Sequence, residues 1–192
     1  MKIIINNAKG FLLLLQITCT SQLFAQDKFI LSESQKFTVE GTSTIHDWEM
    51  VSELAEGTTI MKLHDGKLKS IQSLVIKLPV KTLKSGKSGM DKNAYEALNA
   101  GKHPSINFEL IKVTSISDEL ITVRGKLSIA GMSKEFEIRA EYGVNGNGIK
   151  FSGEFPIKFS EFNIDPPTAV FGTIKTGNDL KVKFETTFKT KN

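Results

Sequence analysis

The residues best suited to chemistry lie in Thr42-Ser43-Thr44-Ile45-His46-Asp47-Trp48, where a hydroxyl, an imidazole and a carboxylate fall within five positions. A nucleophilic triad needs the base to touch the nucleophile and the acid to orient the base. On an extended strand neighbouring side chains point to opposite faces, so Ser43 and Asp47 share one face while His46 takes the other. No G-x-S-x-G elbow occurs anywhere in the chain. These two facts argue against a hydrolase. Metal binding is the next candidate, because His46-Asp47 and His64-Asp65 form two similar pairs and His103 is a third imidazole. The H-x-H and H-x-x-x-H spacings of strong sites are missing. A shared site would require His46 and His64 to meet on adjacent strands at one end of a sheet; otherwise they are solvated histidines near turns. The expectation is no metal and no enzyme.

The elements that position these residues begin after residue 25. Lys2 and Lys9 flank a short apolar start, Phe11 to Leu15 continues the hydrophobic run, and Leu23-Phe24-Ala25 precedes Gln26. This is the charged, apolar and small-residue order of a secretory signal. It predicts cleavage after Ala25, with residues 1–25 a leader, residues 26–192 a single domain, and a periplasmic or secreted destination. The run is too short for a membrane helix, which needs about 20 apolar residues, so no integral span is expected. Cys19, the only cysteine, falls in the leader. The mature chain then has no thiol for a disulfide, a metal or a covalent intermediate. Gln16-Ile17-Thr18 is a poor approach to a lipidated cysteine. Losing Lys2 and Lys9 lowers the net charge from +4 to +2, and nothing in that balance argues for nucleic acid.

The mature chain alternates apolar with polar residues in many short runs: Phe37-x-Val39, Ile45 to Leu54 (with Trp48, Met50 and Leu54 on one side), Leu74-x-Ile76-x-Leu78-x-Val80 and Ile106-x-Phe108-x-Leu110. The pattern resumes in Ile121-x-Val123, Leu127-x-Ile129, Phe136 to Tyr142, Phe151 to Phe159 and Leu180 to Phe188. Period two marks half-buried strands. Ala130-Gly131-Met132-Ser133 and Asn145-Gly146-Asn147-Gly148 are tight turns between neighbouring strands, which makes the pairing antiparallel. About eight strands fit a closed barrel or an open sandwich, and closure is favoured because it removes exposed edges. One helix interrupts the pattern, over about residues 90–100: Asp91 caps its start, Tyr95 and Leu98 share a face with Ala94, and Gly101 with Pro104 ends it.

This helix, with Lys102-His103-Pro104-Ser105-Ile106-Asn107-Phe108 after it and Gly41-Thr42-Ser43-Thr44-Ile45-His46 before it, resembles the YceI-like family of secreted lipid- or polyisoprenoid-binding proteins. Members carry a similar helix, a K-x-P-x-I-x-F segment and a G-x-S-x-x-H motif, and the resemblance covers nearly all of the chain after residue 26. It implies an all-β, antiparallel, eight-stranded lipocalin-like barrel with an apolar tunnel for an isoprenoid chain and the short helix at its mouth. It also implies that the histidine matching His46 stands near the pocket. Two departures bear on the ligand. Lys84 to Asp91 replaces a longer segment rich in arginine and aspartate, and the indole of Trp48 threatens to shorten or plug the tunnel.

The expected lumen residues are Phe37, Val39, Trp48, Leu74, Ile76, Leu78, Tyr95, Leu98, Ile106, Phe108, Leu127, Phe136, Phe155, Phe159 and Phe184. Ser43, His46, Lys102 and His103 are the polar candidates for a head group. Period two alone does not distinguish an inward ring that meets another side chain from one that meets a void. Phe162 to Thr168, with its double proline, is read as a rigid connector that stops strand pairing, or else as a lid over the mouth. The reading is non-catalytic binding and transport of a hydrophobic, isoprenoid-like small molecule, polyprenyl or quinone-type, with no cofactor beyond that ligand and the oligomeric state left open. The alternatives are a ligand-free stress-related barrel acting through its surface and a quinone- or haem-linked redox carrier.

Overall fold

The structure, a computed structural model, describes residues 27–146 and 148–190. The leader, Cys19 and Asn147 of the second turn lie outside the described residues. The strands are β1 (Asp27–Leu31), β2 (Lys36–Ser43), β3 (Trp48–Ser52), β4 (Glu56–His64), β5 (Lys67–Pro79), β6 (Ser105–Ile116), β7 (Leu120–Ile129), β8 (Met132–Asn145), β9 (Gly148–Lys158), β10 (Thr168–Ala169) and β11 (Ile174–Thr190), with helix α1 (Ser88–Ala97) between β5 and β6.

β4 to β9 pair with their sequence neighbours and β9 pairs with β11, all antiparallel. The second edge of β11 takes β2 over Thr176 to Glu185 and β1 over Phe188 to Thr190. Because β1 also pairs with β4, the sheet closes on itself. β1 and β2 are thus two halves of one kinked stave, and β3 and β4 are halves of the next, which makes a closed eight-stranded barrel. The two kinks are tied together where Gln35 Nε2 donates to the Ala55 carbonyl at 3.0 Å.

Two-residue hairpins fix the register. Ala130 and Gly131 take φ of 48° and 85°, and Asp65 and Gly66 take 51° and 70°, the left-handed pair that matches strand twist. Asp65 therefore belongs to a turn, where its carboxylate sits 3.2 Å from His64 Nε2, and not to a metal pair. His64 stands at the barrel end opposite His46, so the two cannot meet. Leu54, expected inside, is 65% exposed in the β3–β4 kink.

The barrel's two ends differ. At the end carrying the β4–β5, β6–β7 and β8–β9 turns, Phe29, Met61, Ile149 and Phe188 are at most 2% exposed. Tyr142, Phe151 and Phe188 pack across this end in tilted and edge-on contacts with successive centroids 6.2 Å apart, and the Tyr142 hydroxyl donates to the Ser117 carbonyl at 2.5 Å. At the other end, inward-facing Val39, Trp48, Leu74, Ile76, Ile106, Phe108, Val182 and Phe184 are only half-buried. What they face is a cavity.

Candidate ligand cavity

The open half of the barrel encloses about 560 Å³, within the range of roughly 300–1,000 Å³ typical of small-molecule sites. Its wall comes from every stave. Phe37, Val39 and Trp48 stand on one side, Leu74, Ile76, Leu78, Ile106 and Phe108 on the next, and Leu127, Phe155, Val182 and Phe184 on the third. Ile71, Ile121, Phe151 and Phe188 form the floor, and Phe159 and Leu98 stand near the entrance.

Space remains among so many rings because the largest lie flat on glycines. A Cβ added at Gly125 would fall 2.2 Å from the Phe108 ring, one at Gly153 would fall 2.9 Å from the Phe184 ring, and one at Gly41 would fall 2.3 Å from the Trp48 indole. Each glycine lets an aromatic from the adjacent strand cover its backbone and hug the wall, where a side chain would push the ring into the lumen. Trp48 Nε1 also donates to the Thr42 carbonyl at 2.9 Å, which pins the indole to the wall. It lines the cavity and does not plug it.

Helix α1 walls the entrance with Met90, Ala94, Ala97 and Leu98, positions three and four apart on one face. The helix begins at Ser88, two residues earlier than expected, and Asp91 does not cap it. The N-cap is Lys87 without a side-chain bond, while the Asp91 carboxylate reaches back to accept from the Ser85 N–H at 2.8 Å and the Ser85 hydroxyl at 2.7 Å. Burial raises the Asp91 pKa, but the Ser85 hydrogen bonds and the Lys84 charge outweigh it and hold the carboxyl below its ordinary value.

Four expected positions lie off the cavity wall. Tyr95 turns to the outer side of α1 and its hydroxyl donates to the Leu83 carbonyl at 2.7 Å; Leu98 alone of that pair lines the lumen. Phe136 packs instead against two wall rings, 5.9 Å from Phe155 and 6.1 Å from Phe162 between centroids. Lys102 is exposed. The His103 ring packs over Gly131, 2.7 Å from where a Cβ would stand, and so braces the β7–β8 turn.

Of the polar candidates, Ser43 and His46 do line the mouth, joined there by Lys87, Asn93, Lys158 and Thr176. None of these four was legible, since they come from the loop before α1, from α1 itself, from β9 and from β11, which meet only in space. The Ser43 hydroxyl donates to the His46 carbonyl at 2.7 Å and accepts the His46 N–H at 3.3 Å, an ST-turn built within its own loop. The His46 ring engages the Asp47 carbonyl through Nδ1 at 2.7 Å. Among the described residues no three His, Cys, Asp or Glu side chains cluster as a metal site would require.

An antiparallel barrel closed at one end, open at the other and lined with aliphatic and aromatic side chains is a binding barrel of the small-ligand class. The chain belongs to the YceI-like family, whose domain model matches residues 34–188. Among solved structures it is similar to BcnA of Burkholderia cenocepacia, at 17% identity and a TM-score of 0.68, covering 82% of this chain and 98% of that one. It is similar also to a polyisoprenoid-binding domain from Saccharophagus degradans implicated in plant cell wall breakdown, at 8% identity and a TM-score of 0.66, covering 87% and 100%. The Campylobacter jejuni YceI protein shares 21% identity and a TM-score of 0.59, over 71% and 82% of the two chains. No curated protein matches the sequence.

Proposed function

We propose that the protein is a non-catalytic carrier of a long-chain, isoprenoid-like lipid, polyprenyl or quinone-type, exported to the periplasm or beyond. One observation carries this reading: a cavity of about 560 Å³ kept open by aromatic rings laid on glycines. Burying apolar surface there yields about 25 cal/mol per Å², or roughly 0.8 kcal/mol per methylene, so a few isoprene units bind tightly without charge pairing. The tail lies toward Ile121 and Phe188, and the head group stays at the mouth within reach of Ser43, His46, Lys87 and Lys158. The polyisoprenoid-binding neighbour supports the ligand class. The engagement of Ser43 with its own loop backbone supports binding over nucleophilic chemistry.

Native mass spectrometry of residues 26–192 exported in a bacterial host, followed by organic extraction, tests it. A stoichiometric extra mass that extracts as an isoprenoid or quinone is expected. A bare polypeptide that stays bare after incubation with polyprenols and quinones would sink the carrier reading and leave a barrel acting through its surface.

A further inference from the structure

We propose that the tip of the β10–β11 hairpin is a membrane-docking element that sets the cavity mouth against a lipid bilayer. Phe171 is fully exposed, Val170 is 62% exposed, and Ile45 on the β2–β3 loop is 61% exposed. Both loops stand at the open end of the barrel. They are joined there by the Thr44 N–H donating to the Lys175 carbonyl at 3.0 Å and the Lys175 N–H donating to Thr44 Oγ1 at 3.2 Å.

The tip is shaped, and its shape is costly. Val170 and Phe171 take φ of 49° and 52°, a region that β-branched and bulky residues rarely occupy. The Val170 carbonyl accepts from the Thr173 hydroxyl at 2.7 Å and the Thr173 N–H at 3.1 Å, and the Ala169 carbonyl accepts from the Gly172 N–H at 3.1 Å. Strain of this kind is retained where it serves a site. Here its result is two large apolar side chains held outward into solvent.

Two features select a bilayer as the occupant. The exposed patch is continuous with the lumen, because Ile45, Ala169 and Ile174 line the cavity directly beside the tip. Lys87 and Lys175 flank the mouth, both exposed, and neither joins the ion pairs found among the described residues. An aromatic-tipped apolar wedge with free ammonium groups beside it matches the apolar boundary and anionic head groups of a membrane interface. A lipid entering from the bilayer would then pass over Ile45 and Ala169 without crossing water. This inference rests on the carrier reading for its purpose, but the docking can fail separately.

The test is flotation of the full mature chain with vesicles of phosphatidylcholine mixed with phosphatidylglycerol, comparing wild type with the double variant Val170→Ser/Phe171→Ser. Both positions are exposed, so the variant should keep its circular dichroism and melting point. The expected result is partitioning weaker by about tenfold or more, slower lipid uptake from donor vesicles, and unchanged lipid occupancy once loaded. Equal flotation of the two proteins, or a lipid-loaded wild type that does not float, overturns the docking. So does sedimentation showing that the tip drives self-association, lost in the double variant without change in flotation. Wild type that floats but never carries lipid sinks the carrier reading and leaves the docking standing.

Discussion

Phe184 and Phe188 lie four residues apart on β11, point into the same barrel, and do different work. Phe188 is 1% exposed and meets Phe151 edge-on; Phe184 is half-buried, lies on Gly153 and faces open space. The closed half of the barrel is a packed core whose side chains specify the fold. The open half uses the same residue types with glycines opposite its rings, and there the apolar surface is kept for a ligand. One sheet thus divides its phenylalanines between stability and binding, according to what stands on the neighbouring strand.

Phe188→Ala should remove a buried ring that seals the cavity floor against the packed end and cost about 3–5 kcal/mol of stability. Phe184→Ala should cost far less, about 1 kcal/mol, because the ring is only half enclosed. Urea unfolding of the two variants reads the contrast directly, and equal losses would mean that the upper half is packed in solution.

Filling the lumen should separate binding from folding. Val182→Trp projects an indole into the cavity, and we expect lipid affinity to fall by about a hundredfold, near 2.8 kcal/mol. Stability should stay within about 1.5 kcal/mol of wild type. Unimpaired binding in a folded variant would place the ligand elsewhere.

The mouth depends on polar ties instead. Asp91→Asn weakens the bonds to Ser85, so a loss of about 1–2 kcal/mol is expected. Because the folded pKa of Asp91 lies below its ordinary value of 3.8, its contribution is complete above that value and fades as pH falls through the folded one. The difference between wild type and variant, followed by thermal melts, should therefore shrink in acid; a constant difference would contradict the assignment. A comparably small loss, about 1 kcal/mol, is expected for Trp48→Phe, which frees the Thr42 carbonyl.

What the sequence disclosed follows the same division. Strands facing a continuous wall, such as Leu74 to Leu78, show clean period two and are legible. β7 reads as two fragments, Ile121-x-Val123 and Leu127-x-Ile129, because its inward Gly125 carries no side chain and Phe108 supplies the missing bulk from the next strand. β4 escapes the pattern altogether, since Thr59 faces inward and is buried through a bond to the Ser73 carbonyl at 2.7 Å while Ile60 faces outward. Tyr95 misleads because helical spacing gives a shared face without saying which face meets the barrel. Asp65-Gly66 carries a hairpin signal, masked by the histidine beside it, whose pairing with Asp65 also fits a metal reading. The glycine–aromatic pairs that make the cavity are cross-strand facts, visible only once register is known.

The most direct test of the two-halves account is a methyl NMR titration of the mature protein with a polyprenyl phosphate or a quinone. The account expects shifts at Leu74, Ile76, Leu98 and Val182, which line the cavity, and none at Met61, Leu68 and Ile149, which do not. Shifts spread equally over both sets, or confined to the packed end, would contradict it.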